Sequence, residues 1–201
     1  MRIYVIDKSA SKIRCVQQNF QGVPQVECVA EELDVFLHSN PVQCIVSPGN
    51  SYGLMDGGYD LAITRYFGDQ LQQRVQRHII DHYYGKQPVG TSFIIDAGRN
   101  GQKLIHTPTM RTPYFIREPL VIYQCMRTTL ICAMENNVES ILIPLFGGGC
   151  GQVHPECVAV MMRKAYDQLL DLPKKLDWRY AEKHDIVFDD MERDTYCFSG
   201  Q

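Results

Sequence analysis

The feature that most constrains this chain is its alternation of short β-branched runs with longer stretches of helical period. Residues 3–6 read as a strand and 11–20 as a helix. Val26–Val29 is a second strand, followed by a helical stretch over 31–38. Residues 44–46 form a third, stopped by the turn signal Ser47-Pro48-Gly49-Asn50. Between Tyr59 and Tyr84 apolar side chains recur at 63, 67, 71, 75, 79 and 83, the spacing of one helical face. Gly68 interrupts that face and predicts a break or two abutting helices. Residues 91–95 and Lys103–His106 read as strands about a turn over 96–102. A helix follows over 119–134, with Leu120, Tyr123, Met126, Leu130 and Ala133 on one face. The apolar run 141–143 fits a strand covered on both sides. The last helix opens at Pro155-Glu156 and runs to about Leu172. Residues 185–188 are expected to add a strand. This order describes an α/β domain with a largely buried sheet.

A chain of 201 residues suits one domain, and folding at this size buries roughly 70% of the unfolded surface. The formal net charge of −3, from 20 basic and 23 acidic residues, argues against coating nucleic acid or an anionic membrane. Neither partner is expected. A small anionic ligand stays open, because backbone amides can hold phosphate without Lys or Arg. The eight cysteines are scattered, mostly inside apolar runs, and the first residues carry no apolar signal core. No apolar stretch approaches the ~20 residues of a membrane span. The expectation is a reduced, soluble, cytoplasmic protein.

Two glycine clusters each follow a strand and precede a helix. The first runs from Ser47 through Gly49, Asn50, Gly53, Asp56, Gly57 and Gly58 to Asp60. The second is Pro144-Leu145-Phe146-Gly147-Gly148-Gly149-Cys150-Gly151. In open α/β sheets ligands lie beyond the carboxyl ends of the strands, where such loops converge. Glycine there lets N–H groups approach phosphate oxygens, and the next helix N-terminus adds partial positive charge. Two such loops suit a diphosphate better than a single phosphate. Tight turning alone is the other reading of a glycine-rich loop. Neither cluster carries the G-x-x-x-x-G-K-S/T or G-x-G-x-x-G fingerprint, which weighs against kinases, P-loop NTPases and dinucleotide dehydrogenases. No cofactor is expected.

The order of these blocks resembles the macro-domain family. Ile45-Val46-Ser47-Pro48-Gly49-Asn50, ten residues before Asp60, resembles its V-N-A-A-N-type turn, glycine run and Asp. Leu104-Ile105-His106-Thr107-Pro108 and the 143–151 block resemble the two remaining motifs. The match spans about 26–170 of a single domain covering 1–201, with 173–201 as a C-terminal extension. The resemblance implies a three-layer α/β/α sandwich with a mixed, mostly parallel central sheet. It implies ADP-ribose or an ADP-ribosylated substrate as the ligand. It further implies hydrolysis of an ADP-ribosyl bond (a Glu or Asp ester, O-acetyl-ADP-ribose or ADP-ribose 1″-phosphate). A non-catalytic reader of ADP-ribose is the alternative.

Carried over residue by residue, the resemblance assigns Gly49, Gly57, Gly58, Gly147, Gly148, Gly149, Cys150 and Gly151 to the ligand cradle. Asn50 matches the asparagine that touches the distal ribose. Asp60 matches the aspartate that orients a water near the anomeric carbon, and a helix N-terminus would hold it ionised. Helix capping for Asp60 and a turn bond to its own backbone for Asn50 are the plainer readings. Asp56 stands where the family has glycine, and either helps activate water or caps the helix. Glu32 is the nearest match to the adenine-binding Asp. Ser47 replaces the first asparagine of the turn. A branch that attacks the sugar with lysine is disfavoured, since Arg65 stands there and stays protonated. Cys150, His154 and Cys157 lack a fourth ligand and a standard zinc spacing, so no metal is expected. His106 reads as a structural histidine, and Arg111 is either a phosphate contact or a surface residue.

Overall fold

The computed structural model describes residues 1–185. Its elements are β1 (Arg2–Ile6), α1 (Ala10–Asn19), β2 (Val26–Val29), α2 (Leu33–Ser39), β3 (Cys44–Ser47), α3 (Gly58–Phe67) and α4 (Gln70–Tyr83). They continue with β4 (Phe93–Asp96), β5 (Lys103–His106), α5 (Leu120–Glu135), β6 (Ser140–Pro144), α6 (Pro155–Leu170) and α7 (Trp178–His184). The strands form one six-stranded sheet in the order β2-β1-β6-β3-β5-β4. All neighbours pair in parallel except β4 and β5. This is the mixed, mostly parallel α/β sheet expected.

The period of two along each strand divides the core. Ile3, Val5, Val46, Ile105, Ile141 and Ile143 face α1, α5 and α6. The residues between them, including Tyr4, Ile6, Ile45, Leu104 and Leu142, face α2, α3 and α4. With helices on both faces the middle positions of the central strands are apolar, and the polar residues Ser47 and His106 stand at the strand ends. Ile141, Leu142 and Ile143 are wholly buried, and each such side chain contributes about 1.5–3 kcal/mol.

Gly68 divides the long helical pattern as its position predicted. It caps α3 at φ +95°, a conformation costly for any other residue. Ile63, Leu71, Val75 and Ile79 still bury the same stripe. The buried face of α5 is centred on Ile122, Cys125, Met126 and Thr129, so Leu120 and Tyr123 lie at its margin instead of within it. β4 starts at Phe93, where its pairing with β5 begins opposite His106, and Thr91 and Ser92 precede it with their hydroxyls bonded to Pro88 and Thr107. α7 was not legible in the sequence; Asp177 opens it by accepting from the Tyr180 N–H at 3.0 Å. The strand expected over 185–188 falls, past Asp185, outside the described residues. No helix among the described residues is long and apolar enough to cross a membrane.

Candidate active site

β1, β2, β3, β5 and β6 all end at one edge of the sheet, so the loops after them converge there. Two of these loops continue side by side beyond their strands. Thr107 N–H donates to the Ser47 carbonyl at 2.9 Å and Thr109 N–H to the Gly49 carbonyl at 3.1 Å. Ser51 N–H then reaches the carbonyls of Met110 and Arg111 at 3.1 and 3.2 Å. From there residues 110–116 cross to the second glycine loop, where Ile116 N–H donates to Gly151 at 2.9 Å. A strap therefore ties the two glycine loops together. Pro108 and Pro113 mark it as irregular in the sequence, but nothing local shows where it goes.

Asp60 is the third residue of α3 and is only 8% exposed. Its carboxylate accepts from the Ser47 hydroxyl, Oγ to Oδ1 2.8 Å, across the β3–α3 loop. Gly57 is the N-cap, so Asp60 is not the plain capping residue. Nor does the helix terminus keep it ionised as expected. Burial pushes its carboxyl up to about 7, against the pull of the Ser47 bond. Asn50 is spent locally: Nδ2 donates to the Leu54 carbonyl at 2.7 Å, and Oδ1 accepts from Tyr52 and Leu54 N–H at 3.1 and 3.3 Å. The turn bond anticipated as the plainer reading is the one the structure has, and the amide staples the loop. Asp56 is exposed.

The glycines divide into two kinds. Gly57, Gly58 and Gly149 are exposed, and a Cβ on any of them would meet nothing within 4 Å. These backbones are open to an approaching ligand. Gly49 is buried, and a Cβ there would lie 2.5 Å from His106 Nε2, so packing against His106 requires its missing side chain. Gly147, Gly148 and Gly151 are likewise buried; a Cβ on Gly151 would lie 2.7 Å from Ile116 Cδ1 and 2.8 Å from the Gly147 carbonyl. Only Gly149 and Cys150 of the second cluster are exposed. Lys12 in α1, unnoticed in the sequence, donates to the Gly148 carbonyl at 2.7 Å.

His106 is wholly buried and neutral, its imidazole held down to about 3 by burial and then by His78. Gln87 Nε2 donates to Thr91 and to the His106 carbonyl. Its Oε1 is therefore the acceptor for His106 Nδ1–H at 2.6 Å. Glu32 is a surface residue paired with Lys8 at 3.7 Å, and its side chain caps no helix N–H. Cys157 is buried in α6, while Cys150 is exposed on the loop.

A family model described as the Macro domain matches residues 46–162, the stretch holding both loops and the strap. The chain belongs to the macro domain family. It is 32% identical over 120 residues to an uncharacterized protein of Aquifex aeolicus, covering 59% of this chain and 68% of that protein. An uncharacterized protein of Aeropyrum pernix is 32% identical over 111 residues, which is 54% of this chain and 55% of its own length. Among solved structures, a variant of the Oceanobacillus iheyensis macrodomain with ADPR superposes with a TM-score of 0.60. It is 18% identical and covers 78% of this chain and 90% of that one. At that identity the likeness is one of fold.

Proposed function

We propose that this macro domain binds ADP-ribose at the strand ends and hydrolyses an ADP-ribosyl bond there. The observation that carries the reading is the pairing of open loop backbones with a buried carboxylate. Gly57, Gly58 and Gly149 leave room for phosphate oxygens against backbone amides. Asp60 lies one turn into the helix that follows the first of these loops. Binding of ADPR by the Oceanobacillus fold relative supports the ligand class.

In this reading water attacks C1″ of the distal ribose. A new C1″–OH bond forms, and the bond to the acyl or phosphoryl oxygen breaks with its electron pair leaving on that oxygen. The proton lost by water passes to Asp60 and on to solvent. Ionised Asp60 is the competent form, so the rate falls as pH drops through about 7. Asn50 acts by holding the loop, and Asp56 serves as an exposed auxiliary carboxylate at its rim. The fold unit is a single domain, with 173–201 as an extension of it. A reader without catalysis is the second reading, favoured by the commitment of the Asn50 amide to its own turn.

Calorimetry with ADP-ribose should give a 1:1 isotherm, and no heat at millimolar ligand would defeat both readings. Turnover is then measured on mono-ADP-ribosylated Glu, O-acetyl-ADP-ribose and ADP-ribose 1″-phosphate. Asp60→Ala should lower kcat by about 100-fold or more while ADP-ribose affinity changes little. Undiminished turnover in that variant would defeat the role of Asp60 and leave the binding claim intact, whereas no turnover of any of the three substrates by the unaltered chain leaves the reader as the surviving function.

A further inference from the structure

We propose that Ser47 is a positioning residue for Asp60: its hydroxyl occupies one carboxylate oxygen, Oδ1, and leaves Oδ2 as the oxygen that holds the attacking water. The inference rests on the reading of Asp60 as the water-orienting carboxylate. It goes further by assigning the two oxygens different tasks and naming the group that separates them.

The geometry is specific. Ser47 is the last residue of β3 and is 0% exposed, so its hydroxyl has no water to compete for it. Its backbone is pinned by the Thr107 N–H at 2.9 Å and by its register opposite His106. The hydroxyl carries one proton, and that proton is directed to Asp60 Oδ1 at 2.8 Å. Gly49 lies close behind it, where a Cβ would stand 3.2 Å from Ser47 Oγ. On the helix side, the single proton of Thr64 Oγ1 is shared between the Asp60 carbonyl at 3.0 Å and the Met55 carbonyl at 3.2 Å, which fixes the turn carrying Asp60. Both partners are thus held by backbone contacts that owe nothing to their own bond. A buried carboxylate with only one donor keeps one oxygen free to accept from water.

The charged surroundings are sparse. Only burial and Ser47 shift Asp60 appreciably. The titratable groups around this pair are Tyr59, next to Asp60 on α3, Asp7, just after β1, which acts on Tyr59, and buried His106, opposite Ser47 on β5. No cation from β3, α2 or α4 contributes to the ionisation of Asp60. Among the described residues, Ser47 is the side chain whose hydrogen bond favours the charged carboxylate.

The test uses 13C-carboxyl NMR of the full chain, with the Asp60 resonance assigned by its loss in Asp60→Asn. In Ser47→Ala the Asp60 titration should move up by about one pH unit, a tenfold change in its ionisation equilibrium. The acid limb of kcat should move with it, while KM for the ADP-ribosyl substrate stays within about twofold. Ser47→Thr, which restores the hydroxyl, should return both to wild-type values. An unmoved Asp60 titration in Ser47→Ala overturns the assignment, as does a KM effect with an unmoved pH limb. A shifted titration in a chain that hydrolyses none of the three substrates keeps the pairing and defeats the hydrolase reading instead.

Discussion

The two glycine loops look alike in sequence, and each mixes packed glycines with open ones, but in different proportions. After β3, Gly57 and Gly58 are exposed with free space beside them, and the loop leads into a helix carrying a buried carboxylate. After β6, Gly147, Gly148 and Gly151 are consumed by packing against Ile116 and Leu145, leaving Gly149 and Cys150 exposed at the tip. The first loop spends stability to keep a carboxylate out of water; the second gains it by close approach of backbone to side chain. A glycine cluster therefore says that side chains are absent, not what fills the space.

The largest loss of stability separating the loops should come from Gly151→Ala. Its new Cβ collides with Ile116 and the Gly147 carbonyl, so urea unfolding should report a loss of about 2–3 kcal/mol. A loss below half a kcal/mol would mean that the strap over this loop gives way freely. Asp60→Asn should act in the other direction. Folding raises this carboxyl from 3.8 to about 7, so the folded state holds a proton that the unfolded state has released. Stability contributed by the group therefore falls as pH rises from about 4 to 7. The amide variant should gain about 4 kcal/mol at pH 8 and nothing at pH 4, as chemical unfolding at the two pH values would reveal. His106 runs oppositely in both proteins: depressed from 6.5 to about 3, it withdraws stability as pH falls below 6.5 and cancels from the comparison.

Smaller effects sharpen the contrast. Gly149→Ala meets nothing within 4 Å and should leave stability within about 0.5 kcal/mol. By calorimetry it should weaken ADP-ribose about tenfold, by blocking approach of phosphate to the backbone. Equal affinity would remove the second loop from the ligand cradle. Gly57→Ala sits at φ −145°, which any residue adopts. Its stability should be nearly unchanged, with a severalfold loss of affinity as the only signature.

Much of the fold was legible because its signals are local. The both-sides-buried strand at Ile141, Leu142 and Ile143 shows as an unbroken apolar run. The break between α3 and α4 shows as a glycine inside a four-residue repeat. The glycines at 57, 58 and 149 stood out by their place after strands, and Asp60 by its resemblance to the family's aspartate. The division of labour between them did not. Asn50 had two local readings of equal pattern, and only the loop geometry selects the bonds to Tyr52 and Leu54. That Gly49 makes room for His106, from a strand far along the chain, was not visible in the sequence. Lys12 gave no signal, because nothing in a helix sequence says which distant carbonyl its ammonium meets.

The sequence by itself determined which residues must leave water and where the backbone is free to turn. Those follow from hydrophobic period and from the missing Cβ of glycine, properties each residue carries wherever it sits. Tertiary structure alone decided that Ser47 holds Asp60, that Ile116 fills the space over Gly151, and that three glycines stay open. These depend on strand order and loop course, which bring together atoms that the chain keeps far apart.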